Sequence, residues 1–304
     1  NRPFFTEGVD LFQKGDLVYT RRIGGEPSYY PPLADNEIIN DYPNTVPLIN
    51  GVKLSGRTND GLGIGFANAI TAKTSAEVTN TDTDETASIV VEPVTNYNVL
   101  VLDQRLRKNS SISFVNTNVT RDGLFRDANV TALVFDLNTK ENTFALEGDY
   151  KYSFVNEYGN EQNKQGYNTF LNFAKTSQKF RFGLGAKYVS QDYDPNDLGI
   201  NFQTHYHAYN GNISFRTLEP TKVFNNINST ISYYSEFDNI TSKIQANSLS
   251  ANINFTTVQN DSFNFYLNTR PTEIYNFYEP RSIDDSKYFI EPKFIGGQFV
   301  FSSN

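Results

Sequence analysis

Residues 142–155 read NTFALEGDYKYSFV, and this stretch decides the predicted fold. Successive side chains of a β-strand point to opposite faces, so the alternation predicts a strand with one apolar and one charged face. It exceeds the roughly 5–6 residues of an ordinary strand and reaches the about 9–11 that cross a bilayer. We therefore expect the apolar side chains to face lipid in a transmembrane β-barrel and the charged ones to face its interior. The apolar set is Phe144, Leu146, Tyr150, Tyr152 and Phe154, and the charged set is Glu147, Asp149 and Lys151.

The composition fits such a barrel. Only 38% of the 304 residues are hydrophobic, yet the chain contains 25 Phe and 19 Tyr. No stretch approaches the roughly 20 apolar residues of a membrane-spanning helix, which excludes a helical membrane protein. A polar, disordered chain would lack so many aromatic residues.

Charge and rare residues exclude further classes. The net charge of −8 argues against a nucleic-acid partner. The chain has no Cys and two His, which excludes disulfides and leaves little room for imidazole chemistry. It also has no Met, so we expect a processed chain or a fragment of a larger barrel.

The same alternation recurs along the chain and predicts about fourteen antiparallel strands in one domain segment over residues 1–304. Short Asn-, Asp- and Gly-containing turns join some of them, as in β-hairpins. Long loops are expected near 24–45, 72–94, 193–203 and 276–285, with loop 72–94 exposed and mobile because it is polar and poor in aromatics. The predicted strands are 15–23, 46–57, 61–71, 95–106, 110–120, 127–138, 142–155, 165–176, 179–192, 204–217, 222–237, 244–258, 262–275 and 286–302.

One acidic segment has the oxygen ligands that calcium prefers. It carries Asp192, Asp194, Asn196 and Asp197. An EF-hand loop needs Gly at its sixth position and Glu at its twelfth, and Asp197 and Gln203 stand there instead. A looser structural calcium site and a plain turn-forming loop both remain open, and no other cofactor is expected.

Arginines near the start of the chain are candidates for binding. Arg guanidinium groups bind carboxylates and phosphates through two parallel hydrogen bonds, so an anion or sugar contact is one interpretation. The other is a salt-bridged network in the barrel interior with Glu7 or Asp10. The residues assigned to this binding site or network are Arg2, Glu7, Arg21, Arg22 and Arg281.

His205 and His207 are two positions apart, which predicts that both lie on one strand face. A metal site needs more ligands than this pair. We therefore interpret them as a pair inside the barrel or at its rim.

Several segments together resemble the domain-of-unknown-function family DUF5916. The resemblance implies a large outer-membrane β-barrel of Gram-negative envelopes, usually behind a family-nine-like carbohydrate-binding module, that continues beyond this chain. The family has no agreed catalytic residues, so none is transferred. The segments are Arg2–Phe12, Leu17–Gly24, Gly51–Gly56, Thr117–Gly123, Asn196–Gly199 and Phe277–Arg281.

The predicted function is a noncatalytic outer-membrane barrel that serves as a platform or subunit of an envelope complex. Expected partners are outer-membrane lipids and lipopolysaccharide, other outer-membrane or surface proteins, and glycans, but no nucleic acid. The alternatives are a pore or transporter for small solutes and a surface carbohydrate-active hydrolase. We further expect the strands at 15–23 and 286–302 not to pair with each other.

Overall fold

A computed structural model describes residues 10–158, 162–281 and 286–303. Within these ranges the chain forms β-strands and two 3₁₀ turns, Lys14–Asp16 and Thr20–Arg22, and no α-helix. The strands are β1 Glu37–Asp41, β2 Leu48–Arg57, β3 Leu62–Thr71, β4 Thr74–Asn80, β5 Thr86–Glu92, β6 Thr95–Arg107, β7 Ser110–Arg121, β8 Asp127–Asn138, β9 Phe144–Asn156, β10 Lys164–Lys175, β11 Phe180–Val189, β12 Tyr206–Arg216, β13 Phe224–Asp238, β14 Ile244–Thr257, β15 Ser262–Arg270, β16 Ile274–Asn276, β17 Phe289–Glu291 and β18 Phe294–Ser302.

Thirteen of the strands form one large antiparallel sheet, which confirms the predicted all-β fold class. Its order is β18-β15-β14-β13-β12-β11-β10-β9-β8-β7-β6-β3-β2, so most neighbours in space are neighbours in the chain. Short hairpin links impose this order, because they can join only antiparallel strands. β2 and β18 are the two ends of the order, and the sheet is not closed, as in a partial barrel.

The interpretation of residues 72–94 as an exposed loop was wrong. They form the hairpin β4–β5, which pairs with β1 in a three-stranded sheet. Polar composition suggested a loop, but β-branched and small residues alternate along the hairpin and bury one face. Ala76, Val78 and Val91 are buried on that face.

The predicted strand at 15–23 was also wrong. Gly15 and Asp16 have positive φ angles of 74° and 54°, which an extended strand does not allow. The segment forms the two 3₁₀ turns instead and buries Leu17. The question of its pairing with 286–302 therefore does not arise, and β18 pairs with β15.

Two of the other predicted strands are interrupted. Residues 262–275 divide into β15 and β16, with Pro271 between them, and 286–302 yield β17 and β18 on either side of Pro292. Proline has no N–H to donate to the ladder, so a paired strand ends there.

The alternation of residues 142–155 appears in the burial of β9. Tyr150 and Tyr152 are exposed, whereas Ser153 and Val155 are buried. Side chains at alternate positions in this part of β9 therefore differ in burial, as expected for a strand with two unlike faces.

The chain divides into two compact units. Unit 1 comprises Asn1–Val134, Tyr150–Tyr167 and Asp192–Phe202. Its core lies on one face of β3, β6, β7 and β8, and Phe12, Leu17 and Leu198 from outside the strands cover that face. The apolar side chains on this face therefore pack as a hydrophobic core.

Unit 2 comprises Phe135–Asp149, Asn168–Gln191 and Gln203–Asn304, and its sheet has two unlike faces. A ladder of phenylalanine rings crosses β14, β15 and β18 on one face, with centroids 4.8 Å apart for Phe255 and Phe263 and 4.7 Å for Phe265 and Phe299. The opposite face carries a chain of amides in which Asn264 donates to Asn254 and Asn254 to Asn252.

Among the described residues there is no helix with the length and apolar character needed to cross a membrane.

Candidate binding site

A pocket of about 740 Å³ lies in unit 1 where four segments meet. These are the segment around the second 3₁₀ turn, the end of β5 with the start of β6, the end of β7 with its following loop, and the loop at 193–203. The lining residues are Tyr19, Arg21, Arg22, Gly25, Glu26, Pro27, Ser28, Glu92, Tyr97, Arg121, Arg126, Asp194, Asn196 and Asp197.

Buried ion pairs around Arg121 form the pocket floor. Arg121 Nη1 lies 2.8 Å from Asp197 Oδ1, and its Nε lies 3.4 Å from Glu92 Oε1. The side chains of Arg121, Glu92 and Asp197 are only 4%, 2% and 6% exposed. Charges taken this far from water must be paired, so each of these groups depends on its partners.

Arg126 extends the floor. Its Nε and Nη2 donate to Asp197 Oδ2 at 3.0 and 2.7 Å, its Nη2 also donates to Asp194 at 2.7 Å, and its Nη1 donates to Glu157 at 3.0 Å. Burial by itself would raise the pKa of Asp194. The hydrogen bond from Arg126 and its positive charge outweigh that effect and lower the pKa of Asp194 below its usual range.

Glu92, which Arg121 also contacts, accepts further hydrogen bonds from neutral donors. Glu92 Oε2 accepts the backbone N–H of Ser28 at 2.7 Å, and Oε1 accepts the hydroxyl of Thr95 at 2.8 Å. Every carboxylate of the floor therefore accepts hydrogen bonds from fixed donors, and the floor is a rigid, charge-paired surface.

The loop at 193–203 is anchored to this floor by its backbone. Tyr19 N–H donates to the carbonyl of Leu198 at 2.7 Å, and Leu198 is buried. A side chain at Gly166 would collide with the backbone of Tyr193, so the loop needs glycine beneath it. No strand lies between β11 and β12.

Arg21 and Arg22 stand at the mouth of the pocket. Both belong to the 3₁₀ turn Thr20–Arg22 and are exposed. Within the part of the chain that the structure describes, neither guanidinium has a carboxylate partner; in particular, neither pairs with Asp10. Glu26 shares the mouth and is exposed as well.

The structure brings five of the predicted site residues to this pocket and separates the others from it. Asp192 is exposed and does not line it. Arg281 belongs to unit 2, is exposed, and donates its backbone N–H to Tyr278 at 3.2 Å. Arg2 and Glu7 lie outside the described residues. The residues at the pocket are Arg21, Arg22, Asp194, Asn196 and Asp197.

Sequence reasoning missed Glu92, Arg121, Arg126 and Glu157 as members of the site. Two of the segments that carry the family resemblance hold partners in the floor, since Thr117–Gly123 supplies Arg121 and Asn196–Gly199 supplies Asp197. The presence of both segments in the sequence was the available signal for this site. No sequence pattern shows that Arg121 and Asp197 meet in the folded chain.

The family model described as "Domain of unknown function (DUF5916)" matches residues 1–304. The chain belongs to this family. No curated protein matches the sequence. Among solved structures, the crystal structure of Pseudomonas aeruginosa OccK5 (OpdH) is similar to this DUF5916 chain at 11% identity, over 94% of this chain and 76% of that one. The TM-score is 0.37, which is too low to carry an argument.

The family segment Phe277–Arg281 of this DUF5916 member lies in unit 2. Tyr278 accepts a hydrogen bond from Gln245 Nε2 at 2.7 Å, and the same nitrogen donates to Glu236 at 2.9 Å. Burial and the negative charge of Glu236 raise the pKa of Tyr278, which keeps the phenol protonated. The segment thus anchors its loop to β13 and β14.

Calcium at the acidic loop stays a prediction. Among the residues that the structure describes, no group of three His, Asp or Glu side chains is arranged to hold a metal ion. Asp194 and Asp197 already bind Arg126, with which calcium would compete.

The histidine pair does not share a strand face. His205 has a positive φ of 70° and precedes β12, which begins at Tyr206. His207 lies on the strand, stacks on Phe237 and has its Nδ1 2.9 Å from Asn239 Oδ1. The left-handed backbone at His205 breaks the alternation on which the prediction depended.

Proposed function

We propose that this chain contributes to an outer-membrane β-barrel and that it acts as a noncatalytic platform. Lipid and lipopolysaccharide would contact the apolar sheet face, and surface proteins or glycans would bind at the ends of the strands. The observation that carries the proposal is a sheet face of exposed apolar side chains opposite a polar or packed face.

Adjacent strands of unit 2 show this surface clearly. Leu184, Ile213 and Ile231 are 60%, 52% and 54% exposed on β11, β12 and β13 and lie beside one another with Phe182 and Tyr233. Soluble monomers seldom leave a contiguous apolar patch of this kind in water. In a bilayer the same patch is satisfied by lipid, and strands of this length suffice to cross it.

The chemistry of the pocket supports a noncatalytic role over a hydrolase. A general acid in glycoside hydrolysis needs a carboxyl group whose pKa is raised. Asp194 instead has a lowered pKa because Arg126 holds it, and Asp197 binds two arginines. These carboxylates are suited to fixing the loops in place.

The packing of unit 1 favours a platform over a pore. Phe12, Leu17 and Leu198 cover the face of the strands that a pore would leave open to water. The polar amide chain of unit 2 is a feature that would favour conduction. Planar-bilayer conductance measures the difference, and the platform proposal expects no stable open channel.

Neighbouring residues on β15 provide a test of the membrane-embedded face. Phe265 and Tyr266 are similarly exposed on opposite faces, and the chain contains no tryptophan. We expect a single tryptophan in place of Phe265 to be quenched by brominated lipid. Phe265→Trp has Tyr266→Trp as its matched control, and the latter should be quenched by aqueous acrylamide. Equal acrylamide quenching of both would contradict a lipid-facing sheet.

A further inference from the structure

We propose that the pocket of unit 1 is an anion-binding site, in which Arg21 and Arg22 bind a small ligand through a carboxylate or phosphate group. This proposal gives the class of ligand that the platform would bind, and it therefore rests on the proposed platform function.

The two arginines are held ready for such a ligand. The turn that carries them is closed by hydrogen bonds from Arg22 N to Tyr19 O at 3.0 Å and from Ile23 N to Thr20 O at 3.2 Å. Tyr19 in turn is fixed to the loop at 193–203 through Leu198. A fixed backbone lowers the entropic cost of binding, and guanidinium groups match carboxylate and phosphate geometry.

The floor repels an anion less strongly than its carboxylates alone would, because arginines are paired with them. Arg121 and Arg126 offset two of the three negative charges that Glu92, Asp194 and Asp197 bring to the floor. Arg21 and Arg22 differ from these floor arginines because no carboxylate of the described chain binds them. Their charge is therefore available at the mouth, where it attracts an approaching anion.

The carboxylate of Glu26 opposes the positive charge of Arg21 and Arg22. It lines the same mouth, and none of the described arginines binds it. A ligand anion held by Arg21 and Arg22 would experience its repulsion, so removing the charge of Glu26 should tighten binding.

The size and lining of the pocket indicate a small polar molecule. Its volume of about 740 Å³ lies within the range of roughly 300–1,000 Å³ that is usual for small-molecule sites. Ser28, Asn196 and the ring of Tyr19 line it beside the arginines. A hexose phosphate and a hexuronate both have the required size and charge.

Isothermal titration calorimetry on the folded full chain in detergent micelles tests the site. The probes are glucose phosphate, glucuronate and, as the uncharged control, glucose. We expect at least one of the two anions to bind, with an affinity that falls as salt rises, and glucose not to bind. Binding of glucose phosphate alone or of glucuronate alone identifies the group that the arginines recognise.

Variants decide whether the named residues bind the anion. The double variant Arg21→Ala/Arg22→Ala should weaken binding at least about tenfold, since it removes two charge-assisted contacts. The double variant Arg105→Ala/Arg107→Ala removes two exposed arginines of β6 and should change affinity less than about twofold. Glu26→Gln should strengthen binding, and circular dichroism confirms that each variant is folded.

Two results would overturn the inference: neither anion binds to the wild-type chain, or both double variants weaken binding equally. Tryptophan quenching at Phe265 reports on the sheet of unit 2 and does not involve the pocket. Failure of anion binding together with normal lipid quenching would therefore refute the site and leave the membrane-embedded platform standing.

Discussion

The guanidinium of Arg121 and the carboxylate of Asp197 form an ion pair at 2.8 Å although 76 positions separate them in the chain. Both side chains are buried. The pair joins the end of β7 to the loop at 193–203, and Arg126 reaches the same carboxylate from the loop that follows β7. Loops that connect strands are often mobile, whereas buried charges hold these two together.

Loss of Arg121 should destabilise unit 1 strongly. Arg121→Met leaves the buried Glu92 without its arginine partner and removes one of the two arginines that bind Asp197. Breaking a buried pair of this kind costs about 3–5 kcal/mol. Urea unfolding in detergent micelles, followed by circular dichroism, measures the effect. The control is Arg107→Met at an exposed position, where we expect a change within about 0.5 kcal/mol. Similar unfolding free energies for both variants would show that the buried network contributes little.

Acid should weaken the anchoring of the loop at 193–203. The pKa of Asp194 is lowered in the folded state relative to its ordinary value near 3.8. Its contribution is therefore fully present above that unfolded value and is lost as the pH falls through the lower folded value. Urea unfolding midpoints are measured from about pH 6 to about pH 2.5, a range that brackets the ordinary carboxyl pKa. As the pH falls, the midpoint of Asp194→Asn should decrease less steeply than that of the wild type. Asp60→Asn, in an exposed turn, should follow the wild type.

Charges on the two faces of β13 should have unequal effects. Ile231 is exposed on the apolar face of β13, and its neighbour Thr230 lies on the opposite face. An arginine on the lipid face near the membrane midplane costs about 2–4 kcal/mol. Ile231→Arg should therefore reduce the folded, membrane-inserted fraction far more than Thr230→Arg, as measured by protease resistance in vesicles. Equal losses would favour a sheet whose two faces both meet water.

Glycine at position 166 should be required for docking of the acidic loop. A Cβ there would collide with the backbone of Tyr193, which cannot move aside as a flexible side chain would. We expect Gly166→Ala to cost about 1–3 kcal/mol, the usual range for overpacking. Limited proteolysis within the loop should become faster. Gly56→Ala, where a Cβ would meet open space, should behave as the wild type.

Most of the large sheet was predictable because its signal is local. Strands such as β8, at Asp127–Asn138, have the predicted boundaries, since each turn and each alternation is written in consecutive residues. The misses occurred where local composition and tertiary context disagree. The hairpin β4–β5 looked like a loop because its polar residues dominate, and it becomes a sheet because β1 pairs with it.

The candidate site was also predictable only in part. The sequence marked Arg21 and Arg22 as guanidinium donors and Asp194 and Asp197 as oxygen ligands, because residue type alone fixes that chemistry. It could not show that Arg126 binds the carboxylates of both Asp194 and Asp197, because these partners lie 68 and 71 positions away in the chain.

The sequence by itself determined the antiparallel strands and the separation of apolar and polar side chains onto opposite faces, because the two-residue period of a strand makes both properties local. Tertiary structure alone decided that residues 10–23 cover the core of unit 1, and that Glu92, Arg121 and Arg126 meet the acidic loop. Such contacts depend on strand order and loop path, which bring together residues that no local pattern connects.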